Sequence, residues 1–282
     1  MLKKRILTAL IALPIVCLIL YFFPKVIFFF FLALCLGTTF ETASIVLPAL
    51  RAKLGNPIRG SANFWIVMCA LVSGIVFACL AFRKEGMQLG VAVFSIMFLL
   101  LVANFMSKSI DDAMANMLGT LFSVVYGCLP WVSLLDLYEM GVHSRYLFIL
   151  LGIVMANDSG AYFVGKYFGK HLLAPLSSPK KTWEGAVGGV LTGILGGWVI
   201  NTLFWGELGS WEFIAVASVL TGIAGILGDL TESALKRFGG VKDSGAIFPG
   251  HGGLLDRTDS IIFAAPVLWF LLFIDKADLT IF

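Results

Sequence analysis

Charged residues are scarce in this sequence. Only 13% of the 282 residues are Asp, Glu, Lys or Arg, whereas 59% are hydrophobic. A soluble globular domain carries roughly 25% charged and about 45–50% apolar residues. The sequence also has no charge excess, no Gly-X-Y period and no heptad run, so a disordered chain, a collagen and a coiled coil are excluded as well. The composition therefore indicates an integral membrane protein.

Several other patterns are missing. The five cysteines form no C-x-x-C pair and have no His nearby, so neither a disulfide framework nor a zinc site is predicted. All five lie in apolar runs and are interpreted as small buried hydrophobic residues. They are Cys17, Cys35, Cys69, Cys79 and Cys128. A transmembrane barrel is disfavoured because the sequence does not alternate in segments of ~10 residues. The net charge of +3 is too small to indicate a nucleic-acid partner.

Long apolar runs are the main feature of the sequence. A membrane-spanning helix needs about 20 such residues. The first run has no A-x-A cleavage site after it and is interpreted as a retained span. The predicted fold is an all-α, polytopic integral membrane helical bundle of about nine transmembrane helices. The candidate spans are 6–23, 26–48, 62–82, 87–106, 117–136, 146–165, 185–205, 211–230 and 260–274.

The basic residues predict the orientation of the bundle. With the N-terminus in the cytoplasm and nine spans, fifteen of the twenty Lys and Arg residues fall on the cytoplasmic side, in agreement with the positive-inside rule. The long polar segments 49–61, 166–184 and 231–259 fall on that side too. Clusters of polar residues lie mainly in the second half of the chain, so residues 1–140 are expected to form an N-terminal transmembrane scaffold. Residues 141–282 are expected to form the C-terminal region that carries the functional site, which faces the cytoplasm.

Glu41 and Asp158 are among the acids that lie within predicted spans. Glu41 lies near the cytoplasmic end of the second span, and Asp158 lies within Asn157-Asp158-Ser159-Gly160 of the sixth. An acid in a membrane span is a functional candidate because its burial is costly. Alternatively, Glu41 reaches the interface or pairs with a lysine, and Asp158 belongs to a helix contact between small residues.

A second polar group precedes the seventh span. It reads Ser177-Ser178-Pro179-Lys180-Lys181-Thr182-Trp183-Glu184-Gly185. Pro179 ends any preceding helix. The adjacent lysines then lead into a helix N-terminus, where backbone N–H groups and the helix dipole favour anions. This segment is either a phosphate site or an ordinary basic boundary beside anionic lipid headgroups.

The third polar group is the most informative. A helical face is predicted from residues at offsets 0, 3, 4, 7 and 8, namely Asp229, Glu232, Ser233, Lys236 and Arg237. Gly239-Gly240 is a natural helix stop. A loop follows with Lys242, Asp243 and the run Gly250-His251-Gly252-Gly253, in which glycine permits close approach of the backbone to a ligand.

Acids at two helix ends indicate a cation site. Asp256 and Asp259 are three residues apart at the start of the last span, with Arg257 between them. If this helix packs against the one that carries Asp229, three carboxylates can converge on one or two hard cations such as Mg²⁺. The alternatives are acids stabilised by a helix dipole and an interfacial acid paired with a base.

Carboxylates, bases and glycine backbone at a membrane surface are suited to a phosphate-rich substrate. Divalent metal neutralises phosphoryl oxygens, and bases hold the charge that develops on them. The sequence has no Walker A pattern and no kinase signature set. A lipid phosphate and a soluble phosphate donor are therefore the expected substrates.

The same residues resemble the sequence pattern of the phosphatidate cytidylyltransferases, or CDP-diacylglycerol synthases. Every fixed position of that pattern is filled: Ser233-x-Leu235-Lys236-Arg237-x4-Lys242-Asp243-x-Gly245-x2-Phe248-Pro249-x-His251-Gly252-Gly253-Leu254-x-Asp256-Arg257-Thr258-Asp259. The segments 158–162, 178–185 and 228–233 also resemble that family. The chain departs from it at two positions, with Asn157 where Ala is common and Lys180 where Gly is common.

The resemblance implies that CTP and phosphatidate react to give CDP-diacylglycerol and pyrophosphate. It implies catalytic roles for Asp229, Lys236, Arg237, Lys242, Asp243, His251, Asp256, Arg257 and Asp259. It implies substrate-binding roles for Asp158, Ser178, Lys180, Lys181, Thr182, Glu232, Ser233, Gly252 and Gly253. Asp229, Asp256 and Asp259 are the expected Mg²⁺ ligands.

The resemblance further implies a second, monovalent cation such as K⁺, a homodimer, and a place in the bacterial inner membrane. Three alternatives stay open at this point. A CTP-dependent polyprenol or phytol kinase, or a cytidylyltransferase for another lipid, is the nearest. A transporter would carry its acids at the membrane midplane. A scaffold without chemistry gives no reason for so many acids and bases at two helix ends.

Overall fold

The computed structural model of the chain describes residues 24–54, 62–81, 87–141, 144–203, 206, 210–247 and 252–276. Eight helices and one two-stranded hairpin make up these residues. They are α1 (Pro24–Lys53), α2 (Ala62–Ala81), α3 (Met87–Met106), α4 (Ile110–Met140), α5 (Arg145–Phe168), β1 (Leu172–Ala174), β2 (Ser178–Thr182), α6 (Trp183–Leu203), α7 (Trp211–Phe238) and α8 (Leu255–Lys276).

All eight helices are long and apolar enough to cross a membrane. They coincide with eight of the nine predicted spans, which confirms the prediction of a polytopic helical membrane protein. The first predicted span, 6–23, lies outside the described residues. Large apolar side chains on α3 point outward, and Phe94, Phe98 and Phe105 are 69%, 53% and 78% exposed. Such a surface is suited to lipid, because soluble proteins rarely expose apolar patches of this size.

The described helices separate into two compact units. The first unit contains the described residues up to Leu135 together with Leu235–Arg257, and the second contains Asp136–Ala234 and the described residues from Thr258. Helices α4, α7 and α8 therefore each contribute residues to both units. The predicted division into a scaffold at 1–140 and a catalytic region at 141–282 stays a prediction.

In the first unit, α1 packs against α4 through a polar contact in an otherwise apolar core. The Thr38 hydroxyl contacts the Gly127 carbonyl at 2.9 Å and accepts a hydrogen bond from the Trp131 indole at 2.8 Å. All three residues are buried. A Cβ on Gly127 would lie 2.6 Å from the Thr39 Cα, so only glycine permits this approach of the two helices. Four cysteines are described and all are free. Cys35, Cys69 and Cys128 are buried as predicted, whereas Cys79 is only half-buried, and Cys17 lies outside the described residues.

In the second unit, α5 and α6 pack closely along glycine-rich faces. A Cβ on Gly196 would lie 2.4 Å from the Gly152 carbonyl oxygen, and one on Gly189 would lie 2.8 Å from the Asn157 carbonyl oxygen. Close backbone approach of this kind is typical of membrane helices, in which association depends on packing and on interhelical hydrogen bonds. The Thr192 hydroxyl supplies such a bond, at 2.9 Å from the Ala156 carbonyl.

The hairpin β1–β2 is an element that the sequence analysis did not predict. Its strands pair antiparallel, with Leu172 opposite Thr182 and Ala174 opposite Ser178. Its residues show no clear alternation of apolar and polar side chains, and Pro179 argues against a central strand. The pairing is compatible with proline because a two-stranded hairpin consists only of edge strands. The hairpin leads directly into α6 and so fixes the position of Lys181.

Candidate functional site

Three carboxylates meet where α7 and α8 pack in the second unit. Ligand oxygens of Asp229, Glu232 and Asp259 all lie within 4.8 Å of one another. Asp229 and Glu232 share a face of α7 because they are three residues apart. Gly228 brings the two helices together, since a Cβ there would lie 2.3 Å from the Asp259 carbonyl oxygen. We call Asp229, Glu232 and Asp259 the carboxylate cluster.

The cluster is shielded to different degrees. The Glu232 residue is 0% exposed, whereas Asp229 and Asp259 are partly accessible. Three carboxylates at this separation repel one another and lose hydration, which is costly without a compensating cation. Carboxylate oxygens are also the ligands that Mg²⁺ prefers. The three carboxylates of the cluster are therefore suitable ligands for a hard divalent cation.

One lysine already compensates part of this charge. The Lys181 ammonium lies 2.5 Å from the Asp229 carboxylate, and both side chains are largely shielded, with 26% and 30% exposure. The second Asp229 oxygen accepts a hydrogen bond from the Ser233 hydroxyl at 3.3 Å. Lys181 is held in place because β2 ends one residue later and α6 begins.

A fourth acid of the second unit lies beside the cluster. The Ser260 hydroxyl contacts the two Asp158 carboxylate oxygens at 3.4 and 3.5 Å. Asp158 also interacts electrostatically with Asp229 and Lys181. Asp158 therefore belongs to the same charged region as the carboxylate cluster, although α5 carries it and it lies 71 positions before Asp229 in the chain.

The segment before α6 is fixed by local hydrogen bonds. The Gly185 N–H donates to the Thr182 hydroxyl at 3.1 Å, so Thr182 caps the N-terminus of α6. The Glu184 carboxylate accepts hydrogen bonds from the N–H groups of Lys170 and His171, and lies 2.6 Å from the His171 ring. Glu184 thus ties the start of the hairpin to the start of α6. No pattern in the sequence indicates this role for Glu184 or His171.

In the first unit, Asp256 is surrounded by hydrogen-bond donors. One oxygen lies 2.7 Å from the Lys236 ammonium. The other accepts hydrogen bonds from the Ser244 N–H and the Gly253 N–H, both at 2.8 Å, and lies 2.9 Å from the Ser244 hydroxyl. Gly252 adopts a φ of +82° and a Cβ there would lie 2.4 Å from Asp256, so glycine is required. Asp256 therefore anchors the loop between α7 and α8, described at residues 241–247 and 252–254, which we call the glycine-rich loop.

Glu41 contacts the same loop from α1. It is buried, at 3% exposure. Its oxygens accept hydrogen bonds from the Ser244 hydroxyl at 2.8 Å, the Leu254 N–H at 2.9 Å and the Leu255 N–H at 2.8 Å. Glu41 thus binds the loop and the first residue of α8. In the sequence, an acid in an apolar span is the only sign of this role, and it does not identify the partners of Glu41.

The other predicted site residues are placed as follows. Arg237, Lys242, Asp243 and Arg257 are exposed. In the hairpin, Lys180 is exposed and Ser178 is half-buried. His251, together with 248–250, lies outside the described residues, so its predicted role stays a prediction. The structure thus groups Asp229 and Asp259 with Glu232, and places Asp256 among donors of the loop.

Comparison with known proteins gives matches over almost the whole chain. Residues 3–275 match the cytidylyltransferase family. The chain is 35% identical to the phosphatidate cytidylyltransferase of Haemophilus influenzae over 295 aligned positions, which cover 94% of this chain and 96% of that protein. It is 36% identical to the phosphatidate cytidylyltransferase of Bacillus subtilis over 199 positions, covering 68% and 71% of the two chains.

A shorter and stronger match is to the phosphatidate cytidylyltransferase of Synechocystis sp. The identity there is 48% over 121 positions, which cover 42% of this chain and 39% of that protein. This match covers well under two thirds of its relative, whereas the Haemophilus match extends over nearly the full length of both proteins.

Proposed function

Because the chain belongs to the cytidylyltransferase family, we propose that it transfers CMP from CTP to phosphatidate and so contributes to phospholipid synthesis. The products are CDP-diacylglycerol and pyrophosphate. The observation that carries this proposal is the 35% identity to a phosphatidate cytidylyltransferase across nearly the full length of both chains. The same match confirms the sequence-based prediction of the family.

The reaction is a displacement at phosphorus. An unesterified phosphate oxygen of phosphatidate attacks the α-phosphorus of CTP. A new P–O bond forms while the bond between the α-phosphorus and the oxygen that bridges to the β-phosphate breaks. Pyrophosphate leaves with that electron pair. A phosphate monoester is already an anion near neutral pH, so no side chain has to remove a proton.

The carboxylate cluster is the proposed Mg²⁺ site. Asp229, Glu232 and Asp259 supply the oxygens, whereas the sequence alone favoured Asp256 as the third ligand. A bound Mg²⁺ neutralises negative charge on phosphoryl oxygens. The support for Glu232 is the grouping of its oxygens with those of the two aspartates, and its full burial. A second, monovalent cation such as K⁺ stays a prediction.

The bases act on the substrate phosphates. Lys181, beside Asp229, is placed to bind a phosphoryl oxygen next to the cluster. Arg237, Lys242 and Arg257 are exposed and are proposed to hold the phosphates of CTP and phosphatidate. Lys236 is also paired with an aspartate, Asp256, which in turn contacts the glycine-rich loop, so we propose that Lys236 shapes that loop.

The membrane places this site beside its lipid substrate. We propose that the site faces the cytoplasm, where CTP is available, and that the protein lies in the bacterial inner membrane. The support is the excess of Lys and Arg on the side that the nine-span topology assigns to the cytoplasm. The homodimer is likewise a proposal that rests on the family resemblance. No nucleic-acid partner is proposed.

The test is release of pyrophosphate by the detergent-purified protein. CTP, phosphatidate and Mg²⁺ are supplied together and each is omitted in turn. We expect release only when all three are present, and expect Asp259→Asn to abolish it. The matched control is Asp111→Asn, which changes an exposed acid at the start of α4 and should leave the rate unchanged.

Two results would contradict the proposal. Pyrophosphate release from CTP without phosphatidate would indicate hydrolysis or a different acceptor. Absence of pyrophosphate, with cytidine diphosphate formed when a polyprenol is supplied, would indicate a kinase.

A further inference from the structure

We propose that Glu41 is a positioning residue of the reaction, which sets the shape of the glycine-rich loop and the start of α8. This inference rests on the proposed function, because that function assigns substrate binding to the loop. Here the loop means the described residues 241–247 and 252–254. Glu41 itself lies in α1, 203 positions before the nearest loop residue that it contacts.

The Glu41 carboxylate accepts three hydrogen bonds. Glu41 accepts one from a loop hydroxyl, Ser244, and two from the adjacent backbone N–H groups of Leu254 and Leu255. Those N–H groups lie at the N-terminus of α8, where the helix dipole favours a negative charge. A buried carboxylate is costly unless such donors surround it. The loop and the helix start are therefore the partners that allow Glu41 to be buried.

Two glycines of the loop lie directly against the Glu41 carboxylate. A Cβ on Gly245 or on Gly253 would lie 2.4 Å from an oxygen of Glu41. The carboxylate cannot move aside without losing its three hydrogen bonds. The position of Glu41 therefore explains why both residues are glycine. No local pattern in the sequence indicates this requirement.

Glu41 is also linked to Asp256 through Ser244. The Ser244 hydroxyl lies 2.8 Å from Glu41 and 2.9 Å from Asp256. A hydroxyl carries one proton, so it donates to one carboxylate at a time. Asp256 in turn contacts Lys236. Without the Glu41 charge, the Ser244 hydroxyl should donate more often to Asp256. The contact of Asp256 with Lys236, and so the position of Lys236, should then change.

These contacts indicate a positioning role. The described partners of Glu41 are protein groups of the loop and of α8, and only 3% of the residue is exposed. Its effect on the reaction is therefore expected through the geometry of the loop. Changes in the loop should affect turnover of bound substrates as well as their binding.

The test compares Glu41→Gln with a matched control. Asp112→Asn also changes a buried acid of the first unit, which pairs with Arg51 and has no assigned role in the reaction. We expect Glu41→Gln to lower kcat by about 10- to 100-fold, the equivalent of a lost charge-assisted hydrogen bond. Asp112→Asn should keep kcat, even if its thermal midpoint falls. Equal kcat in Glu41→Gln and wild type, or an equal loss in Asp112→Asn, would overturn the proposal.

A double-mutant cycle tests whether Glu41 acts through the loop. Glu41→Gln is combined with Ser244→Ala, and kcat is measured for all four proteins. We expect the loss in the double variant to be smaller than the product of the two single losses, because Glu41→Gln weakens and Ser244→Ala removes the same contact. A loss equal to that product would overturn a role through Ser244.

Limited cleavage by trypsin tests the role of Glu41 in the loop independently of the proposed function, because it does not depend on catalysis. Lys242 is an exposed trypsin site in the loop. Cleavage after Lys242, followed by mass spectrometry, should be faster in Glu41→Gln than in wild type or Asp112→Asn. An unchanged rate would overturn the inference even if the enzyme is active. If cleavage is faster in Glu41→Gln but the wild-type protein forms no CDP-diacylglycerol, the proposed function is overturned, whereas the role of Glu41 in the loop is retained.

Discussion

The Lys181 ammonium lies 2.5 Å from the Asp229 carboxylate, at the point where the hairpin β1–β2 ends and α6 begins. This ion pair joins the basic segment before α6 to the carboxylate cluster of α7 and α8. Helix α6 and most of α7 lie between Lys181 and Asp229 in the chain. Taken alone, the basic segment could be an ordinary membrane boundary, and the acids could be stabilised by a helix dipole or by pairing with a base. Their contact supports the proposal that cation and phosphate bind at one combined site.

Lys181→Met should impair the reaction strongly. The variant keeps an apolar stem but removes the charge that faces Asp229 and the proposed phosphoryl oxygen. We expect kcat/KM for CTP or phosphatidate to fall by about 10- to 100-fold, the equivalent of one charge-assisted hydrogen bond. Steady-state kinetics with each substrate varied in turn measures this.

The control for Lys181 is Lys166→Met, an exposed lysine of α5 outside the proposed site. It should retain wild-type kinetics. Wild-type kcat/KM for both substrates in Lys181→Met would contradict the assignment of Lys181 to phosphate binding.

Glu232→Gln should weaken the response to Mg²⁺. Loss of one carboxylate from the cluster removes both a ligand oxygen and negative charge, so the Mg²⁺ concentration that gives half-maximal activity should rise by about 10-fold or more. Magnesium titration of the purified variant provides the measurement. Glu212→Gln, an exposed acid in the first turn of the same helix, is the control and should titrate as wild type. An unchanged titration in folded Glu232→Gln would argue that Glu232 is not a ligand.

Gly253→Ala should destabilise the loop. A Cβ at this position would lie 2.3 Å from the Ser244 hydroxyl and 2.4 Å from both Glu41 oxygens. Overpacking of this kind costs about 1–3 kcal/mol. We expect a lower thermal midpoint in detergent and lower activity.

Gly90→Ala is the matched comparison for Gly253→Ala. A Cβ on Gly90 meets nothing within 4 Å, and the position lies inside α3. Alanine there should be neutral or stabilising by about 0.5–1 kcal/mol, because it favours the helix. Equal behaviour of the two variants would contradict the close contact at Gly253.

Much of the architecture follows from local sequence. The apolar runs predicted all eight described helices, because length and hydropathy determine whether a segment can span a membrane. Gly239-Gly240 was predicted to end α7. The helix does end at Phe238, and Gly240, two residues later, adopts a φ of +67°. The hairpin β1–β2 was missed because its pairing depends on two short strands that carry no alternating pattern.

The site was only partly predictable. The spacing of Asp229 and Glu232 indicated a shared helical face, yet it could not show which acid at the start of α8 meets them. That choice depends on the close approach of α7 and α8 at Gly228. The contact of Glu41 with Ser244 spans 203 positions. No local periodicity in the sequence predicts such a contact. The sequence therefore indicates Glu41 as an unusual acid in an apolar span but does not indicate its partners.

The measurement that tests the central claim most directly follows the two ends of the CTP triphosphate. The purified protein is supplied with phosphatidate, Mg²⁺ and CTP labelled with ³²P at either the α or the γ position. The account predicts that the α label enters the lipid product and that the γ label is released as pyrophosphate. Transfer of the γ label to a lipid, with the α label left in cytidine diphosphate, would contradict it and identify a kinase.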